Sequence, residues 1–173
     1  MDNYTYKNRG MFLENIINDS NTFYISKDIA LIYKKPTPIK VLNVSYPSRK
    51  STVINKAVFE SISTLDYNGI YKGKYIEFDA KECKNKTSFP LANIKNHQIK
   101  HIENVIRHNG IVFLIIYMCN EFYLLNGSTL IEYINSTKRK SIPIEFIKDK
   151  CYKINEKYMP RLDYIQIVDK IFF

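Results

Sequence analysis

The sequence predicts an α/β protein with a mixed central β-sheet flanked by helices, and three observations carry that prediction. Runs rich in β-branched and aromatic residues at 39–46, 52–59, 75–81 and 111–117 have the length and composition of strands. Residues 8–18 and 91–108 carry apolar side chains at helical spacing. The two patterns alternate along the chain instead of falling into separate blocks.

In order, residues 8–18 read as a short amphipathic helix, with Phe12 paired with Ile16 and Leu13 with Ile17, and with Glu14 beside that stripe. Segments 22–25 and 29–33 read as short extended or mixed segments. Residues 39–46 and 52–59 form two strands joined by a tip of Pro47, Ser48, Arg49, Lys50 and Ser51. Residues 75–81 form a strand entered after Gly73, and Asn68-Gly69 supplies a turn signal before it. Ser88-Phe89-Pro90 opens a helix over about 91–108, stopped by Asn109-Gly110. The apolar run 111–117 is a buried strand that pairs with 121–125, and 142–173 is mixed.

A chain of 173 residues with 45% hydrophobic content suits one domain with a real core. Lys and Arg number 26 against 17 Asp and Glu, a formal net charge of +9, which favours polyanionic partners. The longest apolar run is too short to span a bilayer, and no N-terminal segment reads as a signal peptide, so a membrane role is not expected and the expected compartment is the cytoplasm. Cys83, Cys119 and Cys151 are widely spaced and form no C-x-x-C pattern, as expected of reduced thiols.

Chemistry concentrates between Thr64 and Lys81. On a strand over 75–81, Ile76, Phe78 and Ala80 face one side, and Tyr75, Glu77, Asp79 and Lys81 face the other. Asp66 lies just upstream. Asp66, Asp79 and Lys81 can deliver two carboxylates and an ammonium to one point, a set suited to Mg²⁺ and to phosphate hydrolysis. The competing reading is a hairpin with a solvated charged face. Gln98 sits in the apolar stripe of the long helix. It is either an amide bonded to backbone or an oxygen donor for the metal or its water. His97 and His101 share a helix face at metal-ligand spacing but lack a convincing third ligand.

Residues 34–59 hold six cations, Lys34, Lys35, Lys40, Arg49, Lys50 and Lys56, and no Asp or Glu. Arms of eight residues reach ~27 Å at ~3.3 Å per residue. A projecting basic hairpin of that size suits contact with DNA backbone across a wide opening. A solvated hairpin lying on the sheet is the alternative. Lys138-Arg139-Lys140 reads as a solvated basic loop.

Taken together, the chain resembles the RecU family of Holliday junction resolvases. The matching stretches are Asn8-Arg9-Gly10-Met11 with Leu13-Glu14, then Lys34-Lys35-Pro36-Thr37-Pro38-Ile39, Tyr46-Pro47 and Ser63-Thr64-Leu65-Asp66-Tyr67-Asn68-Gly69. Phe89-Pro90-Leu91, His97-Gln98-Ile99, Arg139-Lys140-Ser141-Ile142-Pro143 and Pro160-Arg161-Leu162-Asp163-Tyr164 follow in family order. The resemblance implies a restriction-endonuclease-like fold over one nuclease domain, 1–173, with a stalk insertion at about 35–59. It also implies a homodimer, and Mg²⁺-dependent cleavage of four-way DNA junctions in recombination and repair, with Mn²⁺ as a possible substitute and a recombinase as a possible partner. Thr64, Asp66, Asp79 and Gln98 match the family's metal positions, Lys81 its transition-state lysine, Glu14 an acidic position on the first helix, and Arg49, with Lys50 beside it, the basic stalk tip.

The family usually has Glu where this chain has Asp79 and Asp where it has Glu77, so the acidic pair is swapped in length. Glu77, on the same face, is an accessory acid in this reading. Two rival readings share these residues: a non-cleaving junction-binding protein that modulates a recombinase, and a sequence-specific restriction-type nuclease.

Overall fold

The structure, a computed structural model, describes residues 11–48, 51–59 and 64–173. The expected Arg49-Lys50 stalk tip and the start of the first helix lie outside the described residues.

Helix α1, Met11–Ser26, runs through the segment 22–25 that the sequence reads as extended or mixed. Ser20 and Asn21 break its apolar repeat, yet both are buried, because they bond to a distant segment. The Ser20 hydroxyl accepts from Leu162 N at 2.9 Å, and Asn21 Oδ1 accepts from the Tyr164 hydroxyl. Strand β1, Leu31–Lys34, follows and leads into the hairpin of β2, Ile39–Ser48, and β3, Ser51–Phe59. Next come β4, Tyr67–Tyr71, and β5, Lys74–Cys83. The turn between β4 and β5 is Lys72-Gly73, both at positive φ (46° and 76°), so Asn68-Gly69 is not the turn its composition signals. Gly69 lies inside β4, opposite Ile32, and a Cβ there would sit 1.9 Å from the Leu31 carbonyl oxygen. Close strand approach is what requires glycine here.

After β6, Ser88–Pro90, the chain makes a 3-10 turn, Leu91–Asn93, before α2, Asn96–Arg107. The expected helix over 91–108 is thus divided. The break falls where Gln98 Oε1 accepts from Lys95 N at 3.1 Å and satisfies a donor at the helix start. Asn109, at φ 59°, ends α2 as expected. Strands β7, Ile111–Met118, and β8, Glu121–Asn126, pair antiparallel as expected. Helix α3, Gly127–Ser136, goes unread in the sequence, although Asn126 caps it by accepting from Ser128 N at 3.1 Å. The mixed C-terminal region resolves into β9, Ser141–Pro143, α4, Ile144–Lys150, β10, Tyr152–Ile154, and α5, Ile165–Phe172.

The sheet order is β1-β4-β5-β7-β8-β10, with β5 and β7 parallel and every other pair antiparallel, so the mixed sheet is as predicted. Helices α1 and α5 cover one face over a core of Ile16, Ile76, Phe78, Phe113 and Val168. There Tyr67, Phe78 and Phe113 stack in sequence at 4.8 Å centroid spacing. Helices α2, α3 and α4 cover the other face over Leu65, Phe89, Ile102, Leu114 and Leu130. The middle of β5 is therefore buried on both sides, with Glu77 and Asp79 fully buried and Lys81 beyond them partly exposed.

The β2-β3 hairpin bonds only to itself in the sheet topology, and its side chains are almost all exposed. Ten residues of β2 at ~3.3 Å each give an arm of ~33 Å. Among the described residues, no strand of the central sheet pairs with it. Among the described residues, no helix is long and apolar enough to cross a membrane.

Candidate active site

β5 delivers Glu77, Asp79 and Lys81 to the face beneath α2, as strand alternation predicts. The solvated-hairpin alternative is wrong: Glu77 and Asp79 are 0% exposed. Lys81 Nζ lies 2.8 Å from Asp79 Oδ2, and Gln98 Nε2 donates to the same oxygen at 2.7 Å. Asp79 Oδ1 accepts from Ala80 N at 2.9 Å. Three donors therefore fix the shorter acid in place.

Asp66 belongs to a short non-strand segment between the hairpin and β4. Its backbone oxygen accepts from Lys35 N at 2.7 Å, at the end of β1. The Asp66 carboxyl is pushed up from 3.8 to about 6. Burial is the largest cause, followed by hydrogen-bonding contact with Asp79 and the charge on Asp79, while Lys81 and Lys34 pull the other way. Two like unit charges at ~4 Å repel by about 4 kcal/mol at an effective dielectric of ~20. Lys81 offsets part of that. A shared proton or a bound cation relieves the rest.

Glu77 does not join this pair. Its Oε1 accepts from Lys35 Nζ and from Thr64 Oγ1 (3.1 Å), and its Oε2 takes the Tyr75 hydroxyl at 2.9 Å and His101 Nε2 at 2.6 Å. Burial raises its pKa, but the hydrogen bonds and charges of Lys35 and His101 outweigh burial and hold it below the usual glutamate value. Tyr75 is pushed up to about 12 by burial and by the Glu77 charge, which keeps its hydroxyl a donor.

Thr64 stands between the two groups. Its hydroxyl accepts from Lys35 Nζ at 2.7 Å while donating to Glu77, and its carbonyl oxygen accepts from Gln98 Nε2 at 3.0 Å. Glu14 lies on α1 and pairs with Lys34. Lys34 and Lys35, counted in the sequence with the stalk cations, thus belong to the site. These two lysines, together with Tyr75 and His101, are the neighbours that sequence reasoning does not place in the site. The available signal was the position of both lysines directly before Pro36, at the hairpin base. Among the described residues, no three side chains drawn from His, Cys, Asp and Glu converge as a metal cluster, so His97 and His101 form no such site. The donor set is instead two carboxylates with the Thr64 carbonyl oxygen nearby, which are hard ligands suited to Mg²⁺ or Mn²⁺ and not to zinc. Gln98 turns its amide nitrogen and not its oxygen toward them, because its oxygen caps the start of α2, so it is the backbone-bonded amide of the two readings and not an oxygen donor.

A carboxylate and a lysine on the central strand β5, with Asp66 beside them and a basic hairpin leading on from β1, are an arrangement that suits a nuclease. Residues 8–170 match the model of the family described as Recombination protein U, and the chain belongs to that family. The protein named Holliday junction resolvase RecU from Bacillus mycoides (strain KBAB4) is 47% identical over 98% of this chain and 88% of its own length. The protein of the same name from Oceanobacillus iheyensis is 49% identical over 99% of this chain and 90% of its own. That from Geobacillus kaustophilus is also 49% identical, over 97% and 86%. The solved structure of Hjc, a Holliday junction resolvase from Archaeoglobus fulgidus, overlays with a TM-score of 0.46 at 8% identity, covering 83% of this chain and 95% of that one.

Proposed function

We propose that this chain is a metal-dependent endonuclease that cleaves four-way DNA junctions by paired symmetric nicks during homologous recombination and repair. The observation that carries the reading is the meeting of the Asp66 and Asp79 carboxyls beside Lys81 in a buried setting. Relatives of nearly equal length, named Holliday junction resolvase, support the substrate.

Asp66 and Asp79 would hold Mg²⁺, with the Thr64 carbonyl oxygen completing the protein's share of the shell, and Gln98, which turns its amide nitrogen to Asp79 and Thr64, would steady these ligands instead of binding the ion. Bound there, the ion supplies neutralisation of a phosphate oxygen and a more acidic water. Lys81 places an ammonium where charge develops on the attacked phosphate. Asp79 keeps Lys81 at 2.8 Å, so the lysine needs no reorganisation when substrate arrives. Glu14 orients Lys34 at the rim of the site, within the field of Asp66. The exposed hairpin, with Lys40, Lys56, Arg49 and Lys50, would hold DNA by phosphates and select shape over sequence. A two-fold homodimer would present two identical sites to a junction of matching symmetry.

The test incubates pure protein with a synthetic four-way junction and a matched duplex, with and without Mg²⁺. Junction-selective, metal-dependent paired cuts are expected. No cutting at any Mg²⁺ or Mn²⁺ concentration would overturn the enzyme reading and leave junction binding alone. Equal cutting of duplex would overturn the junction selectivity.

A further inference from the structure

A second polar centre lies directly beside the acidic pair. Glu77, fully buried, gathers Lys35, Thr64, Tyr75 and His101 around its two oxygens. These partners come from different places: Lys35 follows β1, Thr64 precedes β4, Tyr75 is on β5 itself and His101 is on α2. Among the described residues, the segment 64–66 belongs to no strand, and beyond the burial of Leu65 in the core its position is set by such tethers. Lys35 holds it twice, through its backbone N to the Asp66 carbonyl and through Nζ to the Thr64 hydroxyl. Glu77 holds it twice as well, directly at the Thr64 hydroxyl and indirectly through Lys35. Gln98 closes the loop by joining the Thr64 carbonyl to Asp79.

We infer that Glu77 is a positioning residue: with Lys35 and His101 it fixes Thr64, and through Thr64 it sets the Asp66 carboxyl against Asp79. This rests on the nuclease reading above and departs from a role for Glu77 as an accessory metal ligand. All four donors already occupy its oxygens, so Glu77 acts through the 64–66 segment and touches neither phosphate nor ion. Its charge matters because it is the counterion of Lys35. A neutral amide in its place leaves that ammonium without its buried partner and turns one oxygen lone-pair site into an N–H, which faces donors on either side. The His101 arm is accessible. A cleft of about 330 Å³ lined by Tyr75, His101, Asn104, Val105, His108 and Gly110 opens beside it.

The experiment compares wild type, Glu77→Gln, Glu77→Asp and His101→Ala on a synthetic four-way junction at saturating Mg²⁺. Thermal unfolding and junction affinity in EDTA are measured on the same samples. A positioning role predicts a kcat loss of about 100-fold for Glu77→Gln, on the order of the loss that follows misplacement of a reacting group by ~1 Å. KM and the EDTA affinity stay within about twofold of wild type. The Mg²⁺ concentration for half-maximal rate rises, and Glu77→Asp, which keeps the charge but reaches one methylene less far, recovers part of the rate. His101→Ala falls about tenfold, and free imidazole, which fits the cleft, restores part of the loss. If Glu77→Gln does not fold, the His101→Ala rate and its imidazole rescue decide the matter alone. Glu77→Gln that melts earlier yet cuts at the wild-type kcat and Mg²⁺ requirement overturns the inference, as does His101→Ala at full rate. Wild type that cuts no junction defeats the nuclease reading itself, before any variant is compared.

Discussion

Gln98 on α2 donates its amide nitrogen to Asp79 Oδ2 on β5 at 2.7 Å, and the same nitrogen reaches the Thr64 carbonyl at 3.0 Å. One amide thus ties together the helix, the central strand and the segment that carries Asp66, while its oxygen caps the start of α2. Gln98→Leu keeps the volume and removes all of these bonds. Leaving buried groups unpaired costs about 1–3 kcal/mol. The variant should melt earlier and lose junction cleavage by more than tenfold, with EDTA affinity for the junction retained.

Asp66 sets the pH response. Its folded pKa is raised, from 3.8 to about 6, so the protonated form is favoured in the folded state. That contribution is fully present below about 3.8 and is lost as pH rises through about 6. At pH 8 in EDTA the ionised pair is a net burden, and Asp66→Asn should then be more stable than wild type by about 1 kcal/mol, after discounting the shift for partial solvent screening. At pH 4 the two should melt together. Added Mg²⁺ should raise the melting temperature of wild type and not of Asp66→Asn. Cleavage by wild type should fall below about pH 6, where proton and metal compete, and Asp66→Asn should bind junctions and not cut them.

The swapped acids are fitted to different partners. Glu77 uses its extra methylene to reach Lys35 and His101, while the shorter Asp79 keeps Lys81 and Gln98 on one oxygen. Asp79→Glu alone adds a methylene to a filled site, at a cost of about 1–3 kcal/mol, and should slow cleavage. Restoring the family's order with Glu77→Asp and Asp79→Glu together should recover activity beyond what the single variants predict. A double-mutant cycle on kcat measures that coupling, and additive losses would show that the two acids are independent.

The hairpin should govern affinity and not chemistry. Lys40 and Lys56 are exposed on it. Changing either to Ala should lower the slope of log affinity against log salt by about 0.9 for each phosphate that is no longer neutralised, uniformly across junction sequences. The cleavage rate at saturating enzyme should stay within about twofold. A titration series from low to high salt, in EDTA, makes the measurement.

Gly69 should be intolerant of any side chain. A Cβ 1.9 Å from the Leu31 carbonyl must push β1 away from β4. Gly69→Ala should cost about 3 kcal/mol in denaturant unfolding. It should also weaken cleavage, because β1 leads into Lys34 and Lys35.

The period-two pattern of 75–81 was enough to place Glu77, Asp79 and Lys81 on one face, since alternation is a local property of extended backbone. Gln98 stood out because an amide interrupts an apolar helical stripe, and the acid-free hairpin stood out by composition. Other features were invisible for a shared reason: they depend on what the residue meets across the fold. Asn68-Gly69 has the chemistry of a turn, yet steric contact with β1 places Gly69 inside a strand. Ser20 and Asn21 break the repeat of α1 and are buried because Leu162 and Tyr164 satisfy them. Lys34 and Lys35 count as stalk cations by position, but Glu14 and Glu77 draw them into the site. By itself the sequence determined the mixed α/β class, the strands β5, β7 and β8, and the side chains that share the polar face of β5. Only the tertiary structure decided how Glu77 is used. Alternation puts it on the same face as Asp79, and the donors that β1 and α2 bring give Glu77 to Lys35, Thr64 and His101 and leave Asp79 to Lys81 and Gln98.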